Sequence, residues 1–230
     1  MSIYTIYFCY QPTKNMKYIG PKSSVTVPIK KEKNYLINHS INYTEKLFGN
    51  VYNHVVVGFE SDKVLKCLKP NNNLNYSVVL DYKNTNHGRI IKDILLKYSP
   101  VNYNGIFLIS DISFIITEPL KLNPHKNYIF TTSKDITNTD ITCNVIDDNV
   151  EYLSYNSSDY YWNGMCYMNN ETIRLLKHFN RIKFTDPLFL LEIINYLKDH
   201  GVVFTHMPIK NKQYTYINNN TLKTHKVCNE

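Results

Sequence analysis

No apolar run in the 230-residue chain approaches the ~18 residues that a membrane-spanning helix needs, so no membrane association is expected. The first residues, Met1-Ser2-Ile3-Tyr4-Thr5-Ile6-Tyr7, have no basic segment leading into an apolar one and no small-residue cleavage site, which argues against secretion. Cysteine is sparse and odd in number (Cys9, Cys67, Cys143, Cys166, Cys228), scattered and never spaced as a zinc pair. Neither a disulfide framework nor a zinc site follows, and reduced thiols in a cytoplasmic protein fit. No Gly-x-Ser-x-Gly is present, so a nucleophile elbow is missing. None of the eight histidines pairs at i, i+3 or i+4 with another ligand in a way that supports a metal or acid–base site. There is no internal repeat, low-complexity linker or composition break, and residues 1–230 read as one domain.

What is there is ordinary globular composition, 43% hydrophobic and 20% charged, enough for one full core. The net charge of +7 and a pI near 9.0 suit a polyanionic ligand. The basic residues are mostly lysines spread along the chain, with arginine only at 89, 174 and 181. No basic stripe with interleaved aromatics stands out, so nucleic acid is not the expected partner. Asparagine is abundant, as in Asn71-Asn72-Asn73 and Asn218-Asn219-Asn220, beside 20 tyrosines. Excess Asn, Lys, Ile and Tyr is what the codons of an AT-rich genome give.

The first half alternates strand and helix patterns. Strands are expected at Ile3 to Tyr10, His54 to Phe59, Tyr76 to Leu80 and Gly105 to Ile109. Helices are expected at Tyr35 to Phe48, from Ser61 (a cap candidate) to before Pro70, and at Arg89 to Tyr98. That alternation is the signature of βαβ units and a parallel sheet. From Asn127 to Met168 the pattern becomes strands with polar turns: Tyr128 to Thr132, Ile141 to Ile146, Val150 to Tyr155 and Tyr161 to Met168, with Asp147-Asp148 as a turn. Helices at Asn170 to Phe179 and Pro187 to His200, a strand at Val202 to His206 and a hairpin-like end at Tyr214 to Ile217 follow. The expected fold class is α/β, with a mixed, mostly parallel central sheet and a smaller antiparallel part in the second half.

In doubly wound sheets ligands bind at the carboxyl ends of the strands, near the point where strand order reverses. Three loops therefore carry the candidates. Gln11 to Lys22 follows the first strand, and Lys14, Lys17 and Lys22 there offer mobile ammonium groups for phosphate oxygens. Thr85-Asn86-His87-Gly88 opens an apolar helix, where free N–H groups and a glycine suit a base or a phosphate. Asp111 follows the most hydrophobic strand, placed to hold a divalent cation or simply to cap the next turn. Glu192, among apolar Leu190, Leu191, Ile193 and Ile194, faces either a pocket or solvent.

Taken together and in this order, these segments resemble the sugar-1-phosphate and choline-phosphate nucleotidyltransferase family. The match runs through Pro21-Lys22 with Ser23 to Pro28, Val55-Val56-Val57-Gly58-Phe59, Asn84 to Ile91, Ser110-Asp111, Trp162-Asn163-Gly164-Met165 with Asn170-Glu171-Thr172, and Asp186 to Gly201. The resemblance implies a Rossmann-like GT-A-type domain and a Mg²⁺-dependent transfer. A phosphate oxygen of a sugar 1-phosphate or similar phosphomonoester attacks the α-phosphorus of a nucleoside triphosphate, and pyrophosphate leaves. It implies Lys22 and Asp111 as catalytic residues, and Gln11, Lys14, Asn86 and Gly88 at the nucleotide. Trp162, Gly164 and Glu192 would wall the acceptor pocket, and Asp111 and Asn218 would hold the metal. Two features depart from the family pattern. Residues 11 to 20 contain one glycine, Gly20, and no arginine, where the family has Gly-x-Gly-Ser/Thr-Arg. Asn218 stands where the family has a second metal-binding Asp. Two alternatives stay open: an inactive nucleotidyltransferase-like binding protein, and a GT-A glycosyltransferase that uses a finished nucleotide sugar.

Overall fold

A computed structural model describes residues 2–11, 24, 26–29, 32–98, 102–110, 114–116, 118, 120–133, 140–179, 190–210 and 214–216. The first half runs β1 (Ser2–Cys9), β2 (Thr26–Ile29), β3 (Glu32–Tyr35), α1 (Leu36–Phe48), β4 (Asn50–Val57), α2 (Ser61–Cys67), β5 (Leu74–Val78), α3 (His87–Tyr98) and β6 (Gly105–Ile109). The second half runs β7 (Phe114–Ile116), β8 (Asn127–Thr132), β9 (Thr142–Ile146), β10 (Asn149–Ser154), β11 (Tyr161–Asn169), α4 (Asn170–Phe179), α5 (Leu190–Asp199), β12 (Phe204–Pro208) and β13 (Tyr214–Tyr216).

Nine strands form one sheet in the order β5-β4-β1-β6-β11-β8-β12-β10-β9. From β5 to β6 every pair is parallel. Beyond β6 the pairs are antiparallel except for β8 with β12. A further pairing, Tyr161 with Thr142, joins β11 to β9 and closes β11, β8, β12, β10 and β9 into a five-stranded barrel. The sheet is thus mixed, and its antiparallel part is larger than the sequence pattern implies. Within this sheet only β9 and β10 are successive strands joined by a turn, which makes them antiparallel neighbours; the antiparallel pairs β6–β11, β11–β8 and β12–β10 join strands distant in sequence, which no local pattern foretells. The turn between β9 and β10 is Asp147-Asp148, both at positive φ (48° and 61°), the backbone that a tight hairpin needs.

β1 is buried from end to end apart from Ser2, as a central parallel strand must be. Its alternation divides the core between the two faces of the sheet. Ile3, Tyr7 and Cys9 pack with Leu36, Ile37 and Ile41 of α1 and Val64 of α2. Tyr4, Ile6, Phe8 and Tyr10 pack with Ile90, Ile91 and Ile94 of α3, Ile173 of α4 and Ile193 of α5. A one-residue slip of β1 would exchange these sets, so register is strongly specified.

The helix ends differ in detail from the sequence reading. Ser61 does not cap α2 through its side chain. The N-cap is Glu60, in the left-handed region at φ 47°, while Ser61 N–H donates to Gly58 O at 3.2 Å. α1 ends at Gly49, whose φ of 78° lets its N–H reach Glu45 O at 2.8 Å. Among the described residues no helix is long and apolar enough to cross a membrane.

Candidate functional site

The site follows from the topology. β1 leads through α1 to β4 and then through α2 to β5, moving outward on one side, with both helices on the Ile3–Tyr7 face. The chain then crosses through α3, on the opposite face, to β6 on the other side of β1. Strand order reverses between β1 and β6, and in doubly wound sheets ligands bind beyond the carboxyl ends of the strands at such a point. Tyr10 and Gln11 follow β1, and Ser110 follows β6. Gln11 is exposed there. Lys14, Lys22, Asp111 and Asn218 lie outside the described residues.

Ser110 is fixed by a double bond to one acceptor. Its N–H and its hydroxyl each donate to Gly164 O at 2.8 Å. Gly164 sits where β11 breaks register with β8, between Trp162 and Cys166, and has φ 84°. That conformation turns its carbonyl toward β6 at little cost only because the residue is glycine. The neighbouring side chains lock the bulge from within. Trp162 Nε1 donates to Met165 O at 2.9 Å, and Met165 N–H donates to Asn163 Oδ1 at 3.1 Å. Asn163 Nδ2 is buried with no partner. Trp162 and Gly164 are both buried in β11, which pairs with β6.

On the other side, α3 begins against the end of β1. Asn86 caps the helix, its Oδ1 accepting the Arg89 N–H at 3.1 Å and its carbonyl that of Ile90 at 3.3 Å. The loop before it is held by Asn84 Nδ2 to Asp81 Oδ1 at 2.9 Å and Thr85 Oγ1 to Asp81 O at 2.7 Å. Gly88, half-buried, lies in the first turn. The His87 ring lies edge-on to Phe8 (centroids 4.6 Å apart) and to Tyr10 (5.7 Å). Burial lowers the His87 pKa to about 4, leaving it neutral near pH 7. Burial likewise pushes the Tyr10 phenol well above its usual range.

Gly58 closes this end. Phe59 N–H donates to Tyr10 O at 2.9 Å. A Cβ on Gly58 would come within 2.7 Å of that carbonyl and 2.8 Å of Tyr82 Cβ, so glycine is what lets the ends of β1 and β4 approach.

Gln11 follows β1, Asn86 and Gly88 open α3, whose His87 ring packs against Phe8 and Tyr10, and Trp162 and Gly164 belong to β11, which pairs with β6. Glu192 is exposed on α5, a helix tied to β10 by two bonds between Asn195 and the Leu153 backbone. His87 and Ser110 lie in segments that the sequence reading named, Thr85 to Gly88 and Ser110-Asp111, without roles for their side chains; Tyr10, at the end of β1, was not named. Among the described residues no group of three or more His, Cys, Asp or Glu side chains could hold a metal.

No family model matches this sequence. No curated protein matches it either. Solved structures do. The CTP:phosphocholine cytidylyltransferase of Streptococcus pneumoniae is 12% identical, with 97% of each chain covered and a TM-score of 0.71. The inositol-1-phosphate CTP transferase of T. maritima is 14% identical, with 96% of this chain and 93% of that one covered and a TM-score of 0.68. A nucleoside-diphosphate-sugar pyrophosphorylase of Vibrio cholerae RC9 is 13% identical, covering 96% and 98% at a TM-score of 0.66. At such identities the likeness is one of fold: this chain has the mixed α/β fold of sugar-phosphate and choline-phosphate nucleotidyltransferases over nearly its whole length.

Proposed function

We propose that this chain is a metal-dependent nucleotidyltransferase, a cytoplasmic enzyme joining a nucleoside triphosphate to a sugar 1-phosphate or similar phosphomonoester. The observation that carries the reading is the likeness in fold to enzymes of that reaction type across 96% or more of the chain. The reversal of strand order at β1 and β6 supports it, since ligands of doubly wound sheets bind at the carboxyl ends of the strands at such a point.

In the reaction an oxygen of the phosphomonoester forms a bond to the α-phosphorus. The bond from that phosphorus to the oxygen bridging to the β-phosphate breaks, and pyrophosphate leaves. The chain's part is mostly positioning and charge stabilisation. Lys22 stabilises charge on the α-phosphate, and Gln11 and Lys14 hold the triphosphate. Asn86 and Gly88 present the start of α3 to the nucleoside, and Trp162 and Gly164 wall the acceptor. Mg²⁺ takes hard oxygen ligands, and the Asp111 carboxylate and the Asn218 carbonyl oxygen are of that kind. The fit is helped by Ser110, whose anchorage to Gly164 fixes the backbone from which Asp111 emerges. When bound, the ion would neutralise phosphate charge.

A panel of nucleoside triphosphates and phosphomonoesters with Mg²⁺, assayed for pyrophosphate, tests the reading. Pyrophosphate release that needs both substrates is expected. Tight nucleotide binding with no pyrophosphate from any pair would favour an inactive binding protein, which the glycine-poor stretch 11–20 and Asn218 support. Transfer from a finished nucleotide sugar instead would make the chain a glycosyltransferase.

A further inference from the structure

The asparagine run Asn71-Asn72-Asn73 takes no part in the proposed reaction. In the structure Asn71 and Asn72 line a cavity of about 410 Å³ between α1, the segment joining α2 to β5, and Leu74, the first residue of β5. That volume lies within the ~300–1,000 Å³ typical of small-molecule sites. β4 and β5 run parallel, so the Leu74 end is the amino end of the pair. The cavity is therefore remote from the carboxyl ends of the strands, where the proposed reaction takes place.

The lining is held in place before any ligand arrives. Asn38, 3% exposed, ties α1 to the end of α2: its Nδ2 donates to Cys67 O at 2.8 Å and its Oδ1 accepts the Lys69 N–H at 3.3 Å. Glu45 Oε1 accepts from Asn53 Nδ2 at 3.1 Å and from Asn71 Nδ2 at 2.8 Å. The loop is fixed in turn by the Asn73 N–H donating to Asn71 Oδ1 at 3.0 Å and the Asn53 N–H donating to Asn73 O at 2.8 Å. Both bonds to the carboxylate fall on Oε1, so Oε2 keeps its capacity to accept. A site ordered in this way avoids part of the entropy cost of binding.

The chemistry of the lining narrows the ligand. Glu45 is its one carboxylate, and among the described residues no group of three or more His, Cys, Asp or Glu side chains could hold a metal. An anion would meet that carboxylate, and an organic cation would meet Lys69. The rest of the lining combines amides, which both donate and accept, with aliphatic Ile41, Pro70 and Leu74. A hydroxyl is likewise both donor and acceptor, and hydroxylated carbons present C–H surface between their polar groups.

We propose that this cavity binds an uncharged polyhydroxyl compound of monosaccharide size, at a site separate from the one where phosphoryl chemistry is proposed. The inference stands on the cavity and does not depend on the nucleotidyltransferase reading.

The test is a saturation-transfer NMR titration of the full chain with D-glucose, D-galactose, D-mannose and xylitol, for the wild type, Asn42→Ala and Glu45→Gln. Asn42 lines the cavity from an exposed position on α1, so its truncation is expected to leave the melting temperature unchanged. Glu45→Gln removes the charge and keeps an acceptor oxygen for Asn53 and Asn71. The wild type is expected to bind at least one of the four compounds saturably, with excess nucleoside triphosphate and Mg²⁺ causing no displacement. Each folded variant is expected to bind it about five- to tenfold more weakly, the loss of one hydrogen bond. Absence of saturable binding by all four, or unchanged affinity in Asn42→Ala, would overturn the proposal. So would displacement by nucleoside triphosphate, which would put the sugar in the site of the reaction. Pyrophosphate assays that fail with every substrate pair would remove the nucleotidyltransferase reading and leave sugar binding at this cavity as it stands.

Discussion

Ser110 gives both of its hydrogen-bond donors, the backbone N–H and the hydroxyl, to the carbonyl of Gly164, fifty-four residues further along the chain. The contact joins the end of β6 to the bulge in β11, and it does so one residue before Asp111. Ser110→Ala removes the hydroxyl half of this junction. Stability is expected to fall by about 1 kcal/mol, the value of one such bond. The rate of pyrophosphate release is expected to fall tenfold or more, because small displacements of a group that positions reactants are amplified in rate. Denaturant unfolding and steady-state kinetics on one preparation separate the two effects. A rate loss no larger than the loss of folded protein would make Ser110 purely structural.

Gly58 is a matter of space rather than of φ. An added Cβ would press on Tyr10 O and Tyr82 Cβ, at 2.7 Å and 2.8 Å. The first is backbone directly after the central strand β1, held by the Phe59 N–H, and cannot swing aside. Gly58→Ala is expected to cost about 1–3 kcal/mol, the range for overpacking, seen as a lower denaturant midpoint. At Gly201 a Cβ would meet nothing within 4 Å, but φ is 86°, so Gly201→Ala is expected to cost less, about 1 kcal/mol of backbone strain. Equal midpoints for Gly58→Ala and the wild type would contradict the close approach of β1 and β4.

His54 makes folding sensitive to acid. It is fully buried, with Nδ1 2.7 Å from Tyr4 Oη and Nε2 3.0 Å from Ser77 Oγ. Burial, and then the nearby Lys97 charge, lower its pKa to about 4 from 6.5. The unfolded chain therefore binds more protons than the folded one between those values, and stability falls as the pH drops from about 6.5 toward 4. Above about 6.5 this contribution is constant. His87, shifted in the same direction, adds to the slope. Unfolding free energies measured from pH 7.5 to 4 check this, and His54→Gln is expected to flatten the curve. An unchanged slope in His54→Gln would mean that other groups carry the acid sensitivity.

Much of this architecture was legible in the sequence because burial and period coincide in it. Gly105 to Ile109 and Asn170 to Phe179 have the bounds read from the sequence, and both have one strongly apolar pattern. β5 shows where that logic stops. The apolar run Val78-Val79-Leu80 suggested a strand to Leu80, but β5 is an edge strand over Leu74–Val78 and Leu80 is 90% exposed. β3 and β7 escaped notice, and β2 was expected only through the resemblance, since three- and four-residue strands are too short for a period to show. The barrel depends on a non-local pairing of Tyr161 with Thr142, and no pattern within a strand names its partner. At the site, the residue types around Asn86 and Gly88 marked the start of α3 correctly. Asn86 proved to be the helix cap, and the packing of the His87 ring on Phe8 and Tyr10 is a non-local contact that residue types alone do not name.

The most direct measurement follows an α-labelled nucleoside triphosphate through the reaction with Mg²⁺ and a phosphomonoester. The account predicts that label enters a conjugate with the phosphomonoester, in step with release of one pyrophosphate, and that Asp111→Asn reduces both by at least about a hundredfold, the scale of losing a group that stabilises transition-state charge. Label that stays in unreacted nucleotide with every phosphomonoester, or conjugate formed equally well by Asp111→Asn, would contradict it.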